Sequence, residues 1–295
     1  MLTPHLPALD DPEGAAVPAD LPPVIDAHVH VFPSAIFAAV HKWFDAHAWP
    51  IRYRMTTAGL LDFLLSRGLR HVVALQYAHK PGIADGLNRY LADKCRKYPG
   101  RVTGMATVFS GEPDAGAILE AAFAMGLSGV KLHAHVQCFD MTADDMAPIY
   151  EVCAAGDKPL VMHVGREPKS PAYPCDPYTL CRADKLEAVL KAYPTLRVCV
   201  PHLGFDELAA YRRLIERYET LWLDTTMVVT DYFPLPEPVD LRRYRPDRVI
   251  YGTDFPNIPY AWDRELMALR SAGLPADHLA RLLGGNAAEF FGIEG

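Results

Sequence analysis

Val24-Ile25-Asp26-Ala27-His28-Val29-His30-Val31 is an apolar run broken at every second position by a residue that can bind metal. Successive side chains of a β-strand alternate faces, so Asp26, His28 and His30 share one face while Ile25, Ala27 and Val29 take the other. Two imidazoles therefore project side by side. Burying them at a strand end is costly unless something accepts their lone pairs, and a divalent cation is a natural acceptor. The plainer alternative is two hydrogen-bonded histidines on a half-buried strand. What decides between them is whether other strands supply matching ligands.

Downstream of this strand, helix-period segments alternate with short apolar runs. Segment 58–67 precedes the run 71–76, 85–98 precedes 101–108, 115–125 precedes 129–133, and 143–155 precedes 159–164. The series continues with 183–193 before 197–202 and 206–218 before 220–225, then a Pro-interrupted stretch before 248–253 and helices over 262–272 and 278–291. Several helices stop at Gly or at Tyr-Pro, as at Tyr98-Pro99 and Tyr193-Pro194. Strands alternating with helices in this way predict parallel pairing with right-handed crossovers, and eight such units close into a single, distorted (β/α)8 TIM barrel over residues 24–295. A doubly wound open sheet competes. It is disfavoured because no Gly-rich phosphate loop follows the first strand and because polar residues recur at many strand ends instead of one crevice.

Two segments fall outside the repeat. Residues 1–23 carry Pro4, Pro7, Pro12, Pro18, Pro22 and Pro23 with little periodicity, which predicts an extended arm on the body or on a neighbouring subunit. Residues 32–57, with His41, Trp43, Phe44, His47, Trp49, Arg52 and Arg54, form a long insertion after the first strand, either a lid over the site or a peripheral helix whose aromatics simply pack.

Composition narrows the class. The chain of 295 residues is 50% hydrophobic and 22% charged, as a globular protein with a large core should be. A net charge of −7 with no long basic run speaks against a nucleic-acid or anionic-membrane partner. No apolar stretch approaches the roughly 20 residues that span a bilayer, so a cytoplasmic location is expected. The six cysteines include no C-x-x-C pair, which suits reduced, buried thiols and leaves any metal to nitrogen and oxygen ligands.

The later strands supply the matching ligands. His163, His202 and Asp254 each close an apolar run at a C-terminal strand end, where barrel enzymes place their sites. His28, His30, His163, His202 and Asp254 are thus expected at one mouth, a donor set that suits zinc or a similar divalent ion with a position open for water.

Taken in order, Asp26-Ala27-His28-Val29-His30, Gly129-Val130-Lys131-Leu132-His133, His163-Val164-Gly165, Pro201-His202-Leu203-Gly204, Gly252-Thr253-Asp254-Phe255-Pro256 and Leu283-Gly284-Gly285-Asn286-Ala287 resemble the amidohydrolase-2 branch of the amidohydrolase superfamily. The resemblance covers roughly residues 24–292. It implies one divalent metal ion, usually zinc, with His28, His30 and His163 as imidazole ligands, Asp254 as the carboxylate ligand, His202 beside the metal-bound water and Asn286 in a structural motif. In such a site Asp254 would take a proton from that water and pass it to the leaving group, while His202 would steady the developing oxyanion. The resemblance also implies a small-molecule substrate, one that could be a carboxylate, and suggests a homodimer.

Lys131 and His133 share a strand face, so both are candidates to contact substrate. In some members of the wider superfamily a carboxylated lysine on the fourth strand bridges two metals. That would make Lys131 a second-site ligand, although the resemblance favours a single metal. Arg166, three residues past His163, could grip a carboxylate in bidentate fashion, as could Arg52 or Arg54. Trp43, Phe44, Trp49, Tyr173 and Phe233 could line an aromatic-acid pocket or only pack on the body. Two reactions fit the ligands. The leading expectation is hydrolysis of an amide, lactone or related carbonyl substrate by metal-activated water; the alternative is non-oxidative decarboxylation of an aromatic or unsaturated carboxylic acid. A metal-binding barrel without catalysis is the third reading, disfavoured by the retention of all five mouth residues.

Overall fold

The computed structural model describes residues 8–167 and 170–294, so the first seven residues of the Pro-rich arm lie outside the described residues. Its strands are β1 (Ile25–His30), β2 (His71–Leu75), β3 (Val102–Ala106), β4 (Gly129–His133), β5 (Leu160–His163), β6 (Val198–Val200), β7 (Leu221–Asp224) and β8 (Val249–Ile250). They form one eight-stranded sheet in the order β1 to β8, and where register is recorded, from β3 to β7, pairing is parallel. Helices separate successive strands as far as β7, giving the chain the topology of a (β/α)8 barrel. β1, β4 and β5 are buried at every position, as strands covered on both faces must be.

The strands are shorter than the apolar runs suggest. The last one ends at Ile250, so Asp254 stands beyond it, and β6 ends at Val200, so His202 lies in a tight turn, Pro201–Gly204. The predicted helix 278–291 is divided into Ala276–Ala280 and Asn286–Phe291 by a wide turn, Arg281–Gly285, at the Gly284-Gly285 pair where helical propensity is weakest.

Internal contacts divide the described residues into two compact units, 8–74 with 98–103 and 225–294, and 75–97 with 104–224. In the first unit the chain after β8 runs alongside β1: the Ala27 amide donates to Tyr251 O at 3.0 Å, the Asp254 amide to His28 O at 2.9 Å and the His30 amide to Phe255 O at 2.7 Å. Gly252 permits this approach, because a Cβ there would sit 2.7 Å from His28 Cβ and from Thr226 Oγ1. The arm packs on the same unit. Gly14 N donates to Asp263, Trp262 Nε1 donates to Gly14 O, and Glu13 meets Arg52, Arg67 and the Tyr53 hydroxyl. The insertion contains helix Ser34–His47, followed by Trp49, whose indole donates to Asn257 O at 2.8 Å and packs edge-on against Tyr232 and Phe233.

In the second unit the register aligns Lys131 with Val161 and His133 with His163. Two histidines at equal height on neighbouring strands bring their rings together, and these stack with centroids 4.1 Å apart and planes 9° from parallel. Gln137 fixes the end of β4, accepting from the His133 amide at 2.7 Å and donating to Ala78 O and Val108 O.

Among the described residues no helix is long and apolar enough to cross a membrane. All six cysteines are free thiols.

Candidate metal centre

Period-two alternation on β1 places the His28 and His30 imidazoles on one face with centroids 5.1 Å apart. Asp254 reaches them from the segment after β8, its Oδ1 lying 2.9 Å from His30 Nε2 and 3.5 Å from His28 Nε2. Backbone pairing explains the meeting, since Asp254 N donates to His28 O, and Asp254 holds a left-handed φ of +70° that turns its side chain back toward β1. Asp26, on the same face of β1, has a different task. Its buried carboxylate accepts from Thr253 Oγ1 at 2.6 Å, Thr253 N at 3.2 Å and His28 N at 3.1 Å, tying the segment that carries Asp254 to the strand that carries the histidines.

One ligand atom from each of His28, His30 and Asp254 lies within 4.8 Å of the others, and all three residues are at most 9% exposed. Two imidazole nitrogens and a carboxylate oxygen in a dry setting match the borderline-hard donor set of zinc or manganese. The residues therefore fit a divalent cation, leaving room for further ligands.

A second gathering lies in the other unit. His133, His135 and His163 place ligand atoms within 4.8 Å of one another, and so do His163, Glu167 and His202. Glu167 joins the groups, with Oε1 2.8 Å from His163 Nε2 and Oε2 3.2 Å from His135 Nε2. Tyr173 donates to the same carboxylate at 3.0 Å. Burial pushes the His163 imidazole down to a pKa of about 3, with Glu167 acting against it, and burial and the neighbouring His163 also hold His133 well below its ordinary value. These rings are neutral at pH 7, the state in which imidazole binds metal.

His202 sits in a left-handed turn, φ +57°, held by its amide donating to Asp224 Oδ1 at 2.9 Å, and its ring centroid is 4.7 Å from that of His163. Gly204, at φ +82°, completes the turn, and a Cβ there would collide with the Tyr211 ring.

Of the other expected site residues, Lys131 is fully buried within β4. Arg166 is bound by Asp206 at 3.0 Å and Glu207 at 3.1 Å, and its guanidinium lies over the Tyr178 ring. Asn286 donates to Pro246 O and Val249 O, bracing the entry to β8. Tyr173 packs on His135 with centroids 4.7 Å apart, whereas Trp49 and Phe233 pack on each other at 5.1 Å. Sequence reasoning missed Glu167 and His135. His135 lies in a helical turn, Ala134–Gln137, directly after β4 and is buried. The available signal was His133-x-His135 together with His163-x-x-x-Glu167, two pairs of potential ligands that run past their strand ends.

A family model described as Amidohydrolase matches residues 25–293. No curated protein sequence matches the chain at a significant level. Solved structures similar in fold include 5-carboxyvanillate decarboxylase from Novosphingobium aromaticivorans, complexed with manganese and a nitrobenzoic acid, at 18% identity and a TM-score of 0.69 over 95% of this chain and 100% of that one. The 5-carboxyvanillate decarboxylase of Sphingomonas paucimobilis matches at 16% identity and a TM-score of 0.65, covering 92% and 99% of the two chains. The 2,6-dihydroxybenzoate decarboxylase of Rhizobium matches at 16% identity and 0.66, covering 93% and 100%.

Proposed function

Because the chain belongs to the amidohydrolase family, we propose that it is a metal-dependent carboxy-lyase that removes carbon dioxide from an aromatic carboxylic acid without oxidation. The observation that carries this reading is the buried convergence of His28, His30 and Asp254, in a chain that shares its fold with hydroxybenzoate-type decarboxylases over 92–95% of its length. Hydrolysis of an amide or lactone suits the same donor set, and what favours decarboxylation is that the similar structures named above are decarboxylases.

The ligand set implied by the sequence motifs, His28, His30, His163 and Asp254, is part of this proposal. The metal is zinc or manganese, the second being the ion in one similar structure. When bound, the cation supplies the positive charge that holds the substrate's oxygens and favours build-up of electron density on the carbon that loses its carboxylate. The chain's own residues then handle the proton. As the carbon–carbon bond breaks, its electron pair stays on the ring carbon; Asp254 delivers a proton there through a carboxylate oxygen, and solvent restores it. His202, fixed by Asp224, offers its imidazole to the departing carboxylate. Lys131 and His133 are the further candidates for substrate contact, and Arg166 enters with its charge already met by Asp206 and Glu207. The six free thiols support a cytoplasmic location.

The test is a panel of hydroxybenzoates and a panel of lactones and amides, offered to chelator-treated protein before and after manganese or zinc is returned. The proposal expects carbon dioxide from a member of the first panel only with metal. Metal-dependent cleavage of the second panel, with no carbon dioxide from the first, would overturn it.

A further inference from the structure

Glu167 is the unusual residue of the second gathering. Its two oxygens address two different imidazoles, Oε1 toward His163 Nε2 at 2.8 Å and Oε2 toward His135 Nε2 at 3.2 Å. At the closer contact the geometry is not that of a hydrogen bond, since His163 Nε2 has no hydrogen-bond partner. A buried carboxylate beside an imidazole nitrogen that it does not satisfy leaves both groups with capacity to bind a cation. His133 adds a second unsatisfied atom. Its Nδ1 has no partner although the ring is buried between Tyr77 on one side and His163 on the other. Buried polar atoms are ordinarily paired, so an orphan on a ring packed against His135 and His163 marks a place built for something else. The far side of His135 is also fixed, its Nδ1 lying 4.0 Å from Cys181 Sγ, which leaves Nε2 as the atom turned toward Glu167.

We propose that His133, His135 and Glu167 hold a second divalent cation, with the Glu167 carboxylate reaching from it toward His163. The inference builds on the proposed function only in leaving His163 to the first metal; its own three residues belong to one compact unit, where His135 meets the His133 ring at 4.5 Å between centroids and Glu167 at 3.2 Å irrespective of the reaction catalysed. Lys131 is not required as a ligand. Nitrogen and oxygen donors of this kind suit zinc or manganese.

The test is metal content. Chelator-stripped full-length protein is titrated with manganese(II) chloride by calorimetry, and bound manganese is counted by elemental analysis after desalting. Wild type is expected to take two equivalents per chain. His135→Asn and Glu167→Gln should each weaken one equivalent at least about tenfold, the usual cost of losing a ligand or its support, and leave the other. His30→Asn should remove the complementary equivalent. Metal that neither His135→Asn nor Glu167→Gln weakens, whether one equivalent or two, overturns the inference, and so does a single equivalent that all three variants weaken. If His30→Asn abolishes the single equivalent found, the second site falls while the first metal stands. If instead only the His135 and Glu167 variants lose metal, the first site falls and this one stands.

Discussion

The proposed function gives Asp254 the proton transfer, and the position of this residue depends on interactions that can be removed one at a time. Asp254→Asn keeps the shape of the side chain and its backbone bond to His28 but cannot carry the proton. It should leave the melting temperature nearly unchanged while lowering turnover by about two to four orders of magnitude, read as carbon dioxide release. Thr253→Val acts more softly. It strips the 2.6 Å hydroxyl donor from the buried Asp26 carboxylate, and urea unfolding should show a loss of about 1–3 kcal/mol. His71 gives a pH signature in a residue remote from chemistry. Burial holds its imidazole below the ordinary pKa of 6.5, its Nδ1–H donating to Gly100 O and its Nε2 accepting from Thr103. The unfolded chain then binds a proton that the folded chain refuses, so stability is complete above about pH 6.5 and declines as pH falls below it. His71→Asn should flatten the fall in melting temperature between about pH 6.5 and pH 5 relative to wild type; an identical slope would remove His71 as its source.

Elements carry these residues to their places, and here the sequence was legible in part. Alternation on Ile25–His30 announced two imidazoles on one face, and the apolar runs located every strand core, because burial on both faces demands apolar residues throughout. Strand ends were not legible to the residue. Asp254 and His202 lie past β8 and β6 with left-handed backbones, a conformation set by pairing with β1 and by the bond to Asp224 that no local pattern announces. Glu167 and His135 escaped for the same reason: His135 occupies a helical turn where period two no longer applies, and Glu167 acquires meaning only through His163 and His135 in space. The turn around His202 offers a direct check. Gly204→Ala would place a methyl group against the Tyr211 ring at a φ that L-residues avoid, so we expect about 3 kcal/mol or more of destabilisation, with poor soluble yield as its first sign.

At the scale of the molecule, an acidic chain with eight strands in sequential order carries histidines and carboxylates at or beyond the ends of several of them, and groups of these residues have the makings of metal ligands. The chain belongs to the amidohydrolase family over residues 25–293 and shares its fold with decarboxylases. Decarboxylation and hydrolysis differ in what they take from water: the first places one solvent proton on carbon, the second places a solvent oxygen in the product. The decisive measurement is therefore mass spectrometry of the product formed by metal-loaded enzyme from a hydroxybenzoate in water labelled with both deuterium and oxygen-18. The account predicts loss of carbon dioxide with one deuterium on the carbon that bore the carboxylate and no oxygen-18 in the product. Oxygen-18 in the product without release of carbon dioxide would contradict it.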